Sequence, residues 1–268
     1  MLLEPLNPYA PPSVDDAPVR KVSPEPPRDG AFRYRETRNL SLLVIGLLGA
    51  CALVSLLHIW SALIENELVA QVLLGHFDRE AFDAVDERAR MLQVASAVTV
   101  LSTAMAFLLF VHRTSTNVRA LGARNLEYSP AWAVGCFFVP IASLWKPVAA
   151  MRELYWAAEP EHDGTSWVRR ETPSVIGAWW VLWWAAMIGF SLNKELLSGS
   201  HPEQVIVHNQ VGVAVQLIRV AAAVCGALVV RELSRRQQER AYVVFSRPPR
   251  KRTKKRKEPA FEPLDDSK

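Results

Sequence analysis

Long apolar runs alternate with polar stretches along this chain. Four runs hold no Asp or Glu: residues 40–64, 91–111, 174–193 and 205–230, of which only the last contains an arginine, Arg219. About 20 such residues cross the hydrocarbon core of a bilayer as a helix. Helices of a soluble protein usually keep one polar face, which these runs lack. The pattern therefore predicts an all-α membrane protein with four transmembrane helices.

A fifth apolar stretch, residues 131–145, is too short to join the four. Fifteen residues fall short of a span, and Pro140 interrupts any helix that includes it. We expect this stretch either to lie in the interface or to dip into the bilayer and return. A re-entrant backbone has to be covered by protein or to line a wet cavity, because lipid cannot hydrogen-bond to it.

A helix is predicted directly after this stretch, because Pro147 suits the first turn of a helix. Its apolar residues share one face: Val148, Met151 and Tyr155. Arg152 and Glu153 are expected to point away from that face. The pattern favours an amphipathic helix on the inner membrane surface, so residues 131–158 form one re-entrant or interfacial segment between spans two and three.

The second transmembrane helix is predicted to begin outside the membrane. Asp78 occupies an N-cap position, and Glu80 falls in the first turn. Apolar positions then recur at helical spacing: Phe82, Val85, Ala89 and Leu92. We expect this helix to start near Arg79 and to enter the membrane at Met91.

Charge differs from segment to segment. The net charge of the 268 residues is +4, but residues 231–257 hold twelve Lys or Arg and two Glu, which sum to +10. Residues 65–90, between the first two runs, hold seven acidic and three basic residues. Basic residues near span ends stay in the cytoplasm. Both termini are therefore predicted to be cytoplasmic, and the first loop to lie outside.

Two polar arms flank the predicted membrane domain, residues 40–233. Residues 1–39 contain eight prolines and are expected to be a flexible cytoplasmic arm. Residues 234–268 are expected to be a basic cytoplasmic tail that binds anionic lipids, at about 1 kcal/mol per basic residue near the surface. Its most basic stretch, residues 247–257, lacks interleaved aromatic residues for base stacking, which argues against nucleic acid as its partner.

Arg219 is the charged residue within the spans. It lies 12 residues before Arg231, roughly 18 Å along a helix, and an arginine at mid-membrane costs about 2.5–3.5 kcal/mol. It must therefore face protein or water. A polar stripe is predicted around it, made of Asn209 and Gln216 on the same helix and Gln93 and His58 on other spans.

Two interpretations of Arg219 stay open at this point. It is either a buried hydrogen-bonding residue that fixes helix register or a site for an anion or a lipid headgroup. No predicted span holds Asp or Glu, so its partner has to come from elsewhere. The candidates are backbone carbonyls freed near Pro140 and the side chains of Gln93, Gln216 and Glu153.

No residue pattern indicates catalysis or a bound metal. The histidines lack metal-ligand spacing, and Cys51, Cys136 and Cys225 are scattered without a CxxC pair. Nucleotide-binding, metalloprotease and nucleophile-elbow motifs are missing from the sequence. We therefore expect no cofactor, no metal and no enzymatic activity.

Four short motifs follow one another in the middle loop: Tyr128-Ser129-Pro130, Val139-Pro140-Ile141, Leu144-Trp145-Lys146-Pro147 and Met151-Arg152-Glu153-Leu154. This string resembles a bacterial membrane family catalogued as domain of unknown function 4328, over roughly residues 40–233. Ser143 stands where the family commonly has Asn. The resemblance implies a multi-span protein of the bacterial inner membrane without an assigned activity. It also marks the motif residues Pro140, Trp145, Lys146, Pro147, Arg152 and Glu153.

The sequence thus leads to two functional hypotheses. The first is a non-enzymatic scaffold or sensor-like component that recruits partners through its arms and middle loop. The second is a small transport or lipid-handling protein that uses the stripe around Arg219. The expected partners are the lipid bilayer and a second copy or another membrane protein.

Overall fold

The computed structural model describes residues 32–160, 171–196 and 202–246. Within these ranges, residues 194–196 and Pro202 are described by their backbone alone. These residues form six α-helices and one 3-10 turn: α1 (Arg38–Leu73), α2 (Arg79–Ala120), α3 (Pro130–Gly135), the turn Ala142–Leu144, α4 (Lys146–Ala157), α5 (Ser174–Leu196) and α6 (Pro202–Phe245). The described part of the chain contains no strand. Residues 1–31 of the predicted arm and 247–268 of the predicted tail lie outside it.

Four of these helices, α1, α2, α5 and α6, are long and apolar enough to cross a membrane. Many of their large apolar side chains are exposed, as shown by Leu53 at 58%, Leu101 at 67% and Val181 at 67%. Water would penalise so much exposed apolar surface, whereas acyl chains would not. The prediction of an all-α protein with four membrane-spanning helices is confirmed at this level.

The long helices follow the order α2, α1, α6, α5 in cross-section. α1 packs along both α2 and α6, and α5 packs along α6. The segment from α3 to α4 fills the remaining space between α2 and α5. We call the end with the α1–α2 connection the hairpin end. The opposite end, which holds residues 32–37 and the end of α6, is called the terminal end.

At the hairpin end, the predicted start of the second helix is confirmed. α2 begins at Arg79, and the Asp78 carboxylate accepts a hydrogen bond from the Ala81 N–H at 3.1 Å. Val85 and Leu92, on the predicted apolar face, are buried against α1. The two helices therefore continue beyond the predicted apolar runs as an antiparallel hairpin.

At the terminal end, α6 is longer than the sequence suggested. The helix continues to Phe245, so the expected boundary between membrane domain and tail, residues 233 and 234, falls inside it. Gln237 and Arg240 lie beyond that boundary and are fully buried. Part of the predicted basic tail is therefore folded protein, packed against residues 32–37, α2 and α4.

The middle loop keeps its predicted elements but buries more of them than expected. Ser129 caps α3 by accepting a hydrogen bond from the Trp132 N–H at 3.1 Å, and Pro147 lies in the first turn of α4. α4 packs against α2, α5 and α6, so its apolar face contacts protein. Arg152 is exposed as predicted, but the expectation that Glu153 also points away is wrong, because Glu153 is buried.

Candidate functional site

Arg219 reaches from α6 across to α2. One guanidinium nitrogen, Nη2, donates to the Ser96 hydroxyl at 3.0 Å, and Nη1 donates to the Gln216 side-chain oxygen at 3.3 Å. Gln216 was a predicted partner, and that prediction is confirmed. The other candidates do not serve here, since Pro140 and Gln93 are exposed and Glu153 bonds elsewhere. Arg219 itself is half-buried.

Further polar side chains lie along the same junction of α1, α2 and α6. His58 on α1 lies beside the Leu92 backbone of α2 and is close enough to Arg219 for their charges to interact. Toward the terminal end, the Cys51 thiol lies 3.3 Å from the Thr103 hydroxyl. The junction therefore has His58 near Arg219, and the contact of Cys51 with Thr103 follows toward the terminal end.

Asn209 belongs to a separate contact nearer the hairpin end. Its side-chain amide donates to the Asn66 amide oxygen of α1 at 3.0 Å. Gly212, one turn further along the same helix face, lies beside Asn193 of α5. The predicted stripe on α6 thus divides between two neighbouring helices, and Asn209 joins α6 to α1.

The charge on Arg219 has only neutral hydrogen-bond partners among the described residues. A hydroxyl and an amide oxygen solvate a guanidinium but do not cancel its charge. Three of the five N–H donors of a guanidinium remain beyond these two bonds. In a low-dielectric environment such a cation favours an added anion strongly. The geometry can therefore hold an oxyanion.

The family motif forms a second polar centre, at the terminal end. The Glu153 carboxylate of α4 accepts the backbone N–H groups of Glu127 and Tyr128, the latter at 3.2 Å. Arg119 at the end of α2 donates to the Tyr128 carbonyl and, at 2.9 Å, to the Ser115 carbonyl. These bonds fix the loop before α3 to the ends of α2 and α4.

Lys146 holds the same loop from its exposed side. Its ammonium group donates to the Tyr128 hydroxyl and to the Glu127 carboxylate, each at 3.3 Å. The bond to Tyr128 and then the bond to Glu127 raise the pKa of Lys146. Burial raises the pKa of Glu153, although its two backbone hydrogen bonds act in the opposite direction. Motif residues Lys146 and Glu153 therefore act together as a clamp on residues 127–128.

The remaining motif residues have different surroundings. Pro140 and Trp145 are exposed, Pro147 is buried in the first turn of α4, and Arg152 lies beside Gly177 of α5. The Leu144 carbonyl, next to Trp145, accepts the indole N–H of Trp180 at 2.7 Å. This motif string thus holds the middle loop against α2 and α5.

A buried arginine that sequence reasoning missed completes the terminal end. Arg240 donates to the Glu159 carbonyl at 2.6 Å and to the Leu121 carbonyl at 3.1 Å. These carbonyls lie just past the ends of α4 and α2, where helices leave acceptors unpaired. A guanidinium also suits the negative end of a helix dipole. The only signal in the sequence was the helical spacing of Leu233, Gln237 and Arg240.

The segment before α1 is strapped across the same end. The Asn117 side chain pairs with the backbone of Arg35 in both directions, accepting its N–H at 3.0 Å and donating to its carbonyl at 2.7 Å. Gln237 donates to the Thr114 carbonyl at 3.0 Å, and its side-chain oxygen accepts from Thr37 at 3.4 Å. The Tyr34 and Phe245 rings meet edge to face at 5.7 Å.

Comparison with known proteins agrees with the motif string. The family described as Domain of unknown function (DUF4328) matches residues 75–235. The chain belongs to this family. Its matched region begins at the turn between α1 and α2, so α1 lies outside it, whereas the sequence resemblance was expected to start at residue 40. No curated protein and no solved structure matches the chain. No group of three or more His, Cys, Asp or Glu among the described residues could hold a metal ion.

Proposed function

We propose that this DUF4328 protein binds an oxyanion at Arg219 and handles it as a small transport or lipid-handling protein. The observation that carries the proposal is a guanidinium, half-buried among spanning helices, whose hydrogen bonds within the described part of the chain go only to Ser96 and Gln216. A phosphate-type group supplies the missing charge and accepts the remaining donors. Such a group is found both in lipid headgroups and in free phosphate.

The proposed location is the bacterial inner membrane, with both termini in the cytoplasm. Support comes from the basic residues, which gather at the terminal end and after it, and from the acidic excess between α1 and α2. On this orientation the hairpin end is outside. The basic residues after α6 would contact anionic lipids of the inner leaflet.

The segment from α3 to the 3-10 turn is proposed to be re-entrant. Phe137 packs against Phe107 of α2 and Trp180 of α5, with ring centroids 6.1 and 6.0 Å apart. Both partners belong to the apolar runs of spanning helices. The exposed Phe138 and Ile141 would then contact acyl chains, which accept apolar surface at no cost.

A binding experiment tests the role of Arg219. The full chain is placed in nanodiscs of zwitterionic lipid, and its thermal midpoint is measured against inorganic phosphate concentration, then again with phosphatidylglycerol added. We expect an upward shift in the wild type. The Arg219→Gln variant should bind about 10- to 100-fold more weakly, since a charge-assisted hydrogen bond contributes about 1.5–3 kcal/mol.

The control is Arg231→Gln, which removes an exposed charge from the same helix. Stabilisation by phosphate indicates a free oxyanion, and stabilisation by phosphatidylglycerol alone indicates a lipid headgroup. If neither ligand distinguishes Arg219→Gln from Arg231→Gln, the proposal is wrong.

A scaffold without enzymatic activity is the second candidate. It is favoured by the contact between Tyr34 and Phe245, because this contact brings the end of the N-terminal arm close to the C-terminal end of α6. Two arms that leave the protein side by side could bind one partner protein together, or they could bind the arms of a second copy of this chain. Deleting either arm should then reduce co-purification of that partner without changing phosphate binding.

A further inference from the structure

A second arginine lies on the same helix junction as Arg219, nearer the hairpin end. Arg88 of α2 stacks over the ring of Trp60 at 4.9 Å and donates through Nε to the Ser61 hydroxyl at 3.1 Å. Its Nη2 is buried and has no hydrogen-bond partner in the part of the chain that the structure describes. Among the described residues, Arg88 like Arg219 has no carboxylate in ion-pair distance, although the hairpin around it is acidic.

The two arginines are connected by one face of α2. Arg88, Leu92 and Ser96 follow at intervals of four residues, so they stand above one another over about 12 Å. His58 of α1 lies beside the Leu92 backbone at the middle step, and Arg219 donates to the Ser96 hydroxyl at the last. Along α2, the positions of Arg88, His58 and Arg219 are therefore separated by one or two helical turns.

The line of polar groups is closed toward the terminal end. It finishes at the contact of Cys51 with Thr103. Beyond it, Val44, Phe110 and Val230 are fully buried in an apolar core, and among the described residues polar contacts resume only at Ser41 and Ser234, 3.1 Å apart. From Cys51 to Ser41 is ten residues, or about 15 Å of helix. An ion crossing that layer would find no polar partner.

We infer that Arg88, His58 and Arg219 form a one-sided path by which a small oxyanion reaches Arg219 from the hairpin end. The inference deepens the proposed function, on which it rests for the ligand class: it selects a free, water-borne oxyanion and names its side of access. Arg88 attracts the anion at the mouth, His58 supplies a polar step, and Arg219 holds it. The apolar layer around Val44 and Phe110 prevents passage to the other side.

Thiol labelling tests the path independently of ligand binding. Cys51, Cys136 and Cys225 are replaced by alanine, and Ser96→Cys is introduced into the full chain in vesicles of known orientation. The probes are membrane-impermeant methanethiosulfonates, one anionic and one cationic, applied from each side. The control is Val98→Cys, two residues along α2, where the side chain is exposed on the apolar surface.

We expect the anionic probe, added at the hairpin side, to label Ser96→Cys about 10-fold faster than the cationic probe, because two guanidinium groups face the path. Phosphate should slow this labelling. Adding Arg88→Gln should reduce the preference to about threefold, because the guanidinium of Arg219 remains, and Val98→Cys should stay unlabelled. A second variant, Ser61→Cys at the mouth, should react from the same side if Ser96→Cys disturbs folding.

Labelling of Ser96→Cys from the terminal side, equal rates for both probes, or no labelling of either path variant would overturn the inference. The two proposals fail separately. Phosphate binding that depends on Arg219 together with labelling from the terminal side refutes the path alone. Preferred anionic labelling from the hairpin side, with phosphate binding unchanged in Arg219→Gln, refutes the proposed binding site alone.

Discussion

Removing the Glu153 carboxylate should loosen the middle loop and destabilise the terminal end. In Glu153→Ala, the backbone N–H groups of Glu127 and Tyr128 lose their acceptor. A buried donor without a partner costs about 1–3 kcal/mol, so two cost about 2–6 kcal/mol. Relief of the buried carboxylate offsets part of this, because its desolvation already raises the pKa of Glu153. We expect a net loss of about 2–4 kcal/mol.

The matched control is Glu127→Ala in the same loop. Glu127 pairs with Lys146 at 3.3 Å, but its side chain is 65% exposed. Exposed ion pairs contribute about 0.2–1 kcal/mol, so this variant should remain close to wild type. Thermal unfolding in detergent gives the global effect. Amide hydrogen exchange of residues 121–130 gives the local one, and only Glu153→Ala should speed it.

The pH dependence of this effect follows from the direction of the shift. A carboxyl whose folded pKa is raised stabilises the protein fully below its ordinary pKa, and that contribution is lost as pH rises through the raised value. The stability gap between wild type and Glu153→Ala should therefore be wider at mildly acidic pH than at alkaline pH. Equal exchange rates in the two variants would refute the clamp. A gap that narrows on acidification would refute the raised pKa and mean that the two hydrogen bonds outweigh desolvation.

Three further predictions concern the terminal end. Arg240→Met should lower the thermal midpoint, with a loss of about 3 kcal/mol from two bonds to helix-end carbonyls, whereas the exposed Arg235→Met should have little effect. Asn117→Ala should release residues 32–37 and so speed tryptic cleavage near residues 33–38, measured as a gel time course. Thr116→Ala should leave the cleavage rate unchanged, because the Thr116 hydroxyl donates to the His112 carbonyl of its own helix. Gly122→Ala should destabilise by about 1 kcal/mol or more in the same thermal assay, because Gly122 has φ of 89° after α2; a neutral result would mean that the turn adapts.

The sequence by itself determined the elements of this protein. The apolar runs were long enough to specify four spanning helices, since each must satisfy its own backbone within lipid. Asp78 and Pro147 marked helix starts through local capping chemistry, which acts over only three or four residues. Arg219 was identified because one charge in an apolar run has few acceptable positions.

Tertiary structure alone decided which polar groups are buried. Glu153 looked like a solvent-facing residue because its helix face was inferred from apolar spacing, yet the loop around Tyr128 folds back over it. Arg240 and Gln237 looked like part of a basic tail because composition carries no information on contacts between distant residues. Arg240 bonds to carbonyls 81 and 119 positions away in the chain, and Gln237 bonds to Thr37, 200 positions away. Only the packing of α2, α4 and α6 brings such groups together, and with them the line from Arg88 to Arg219.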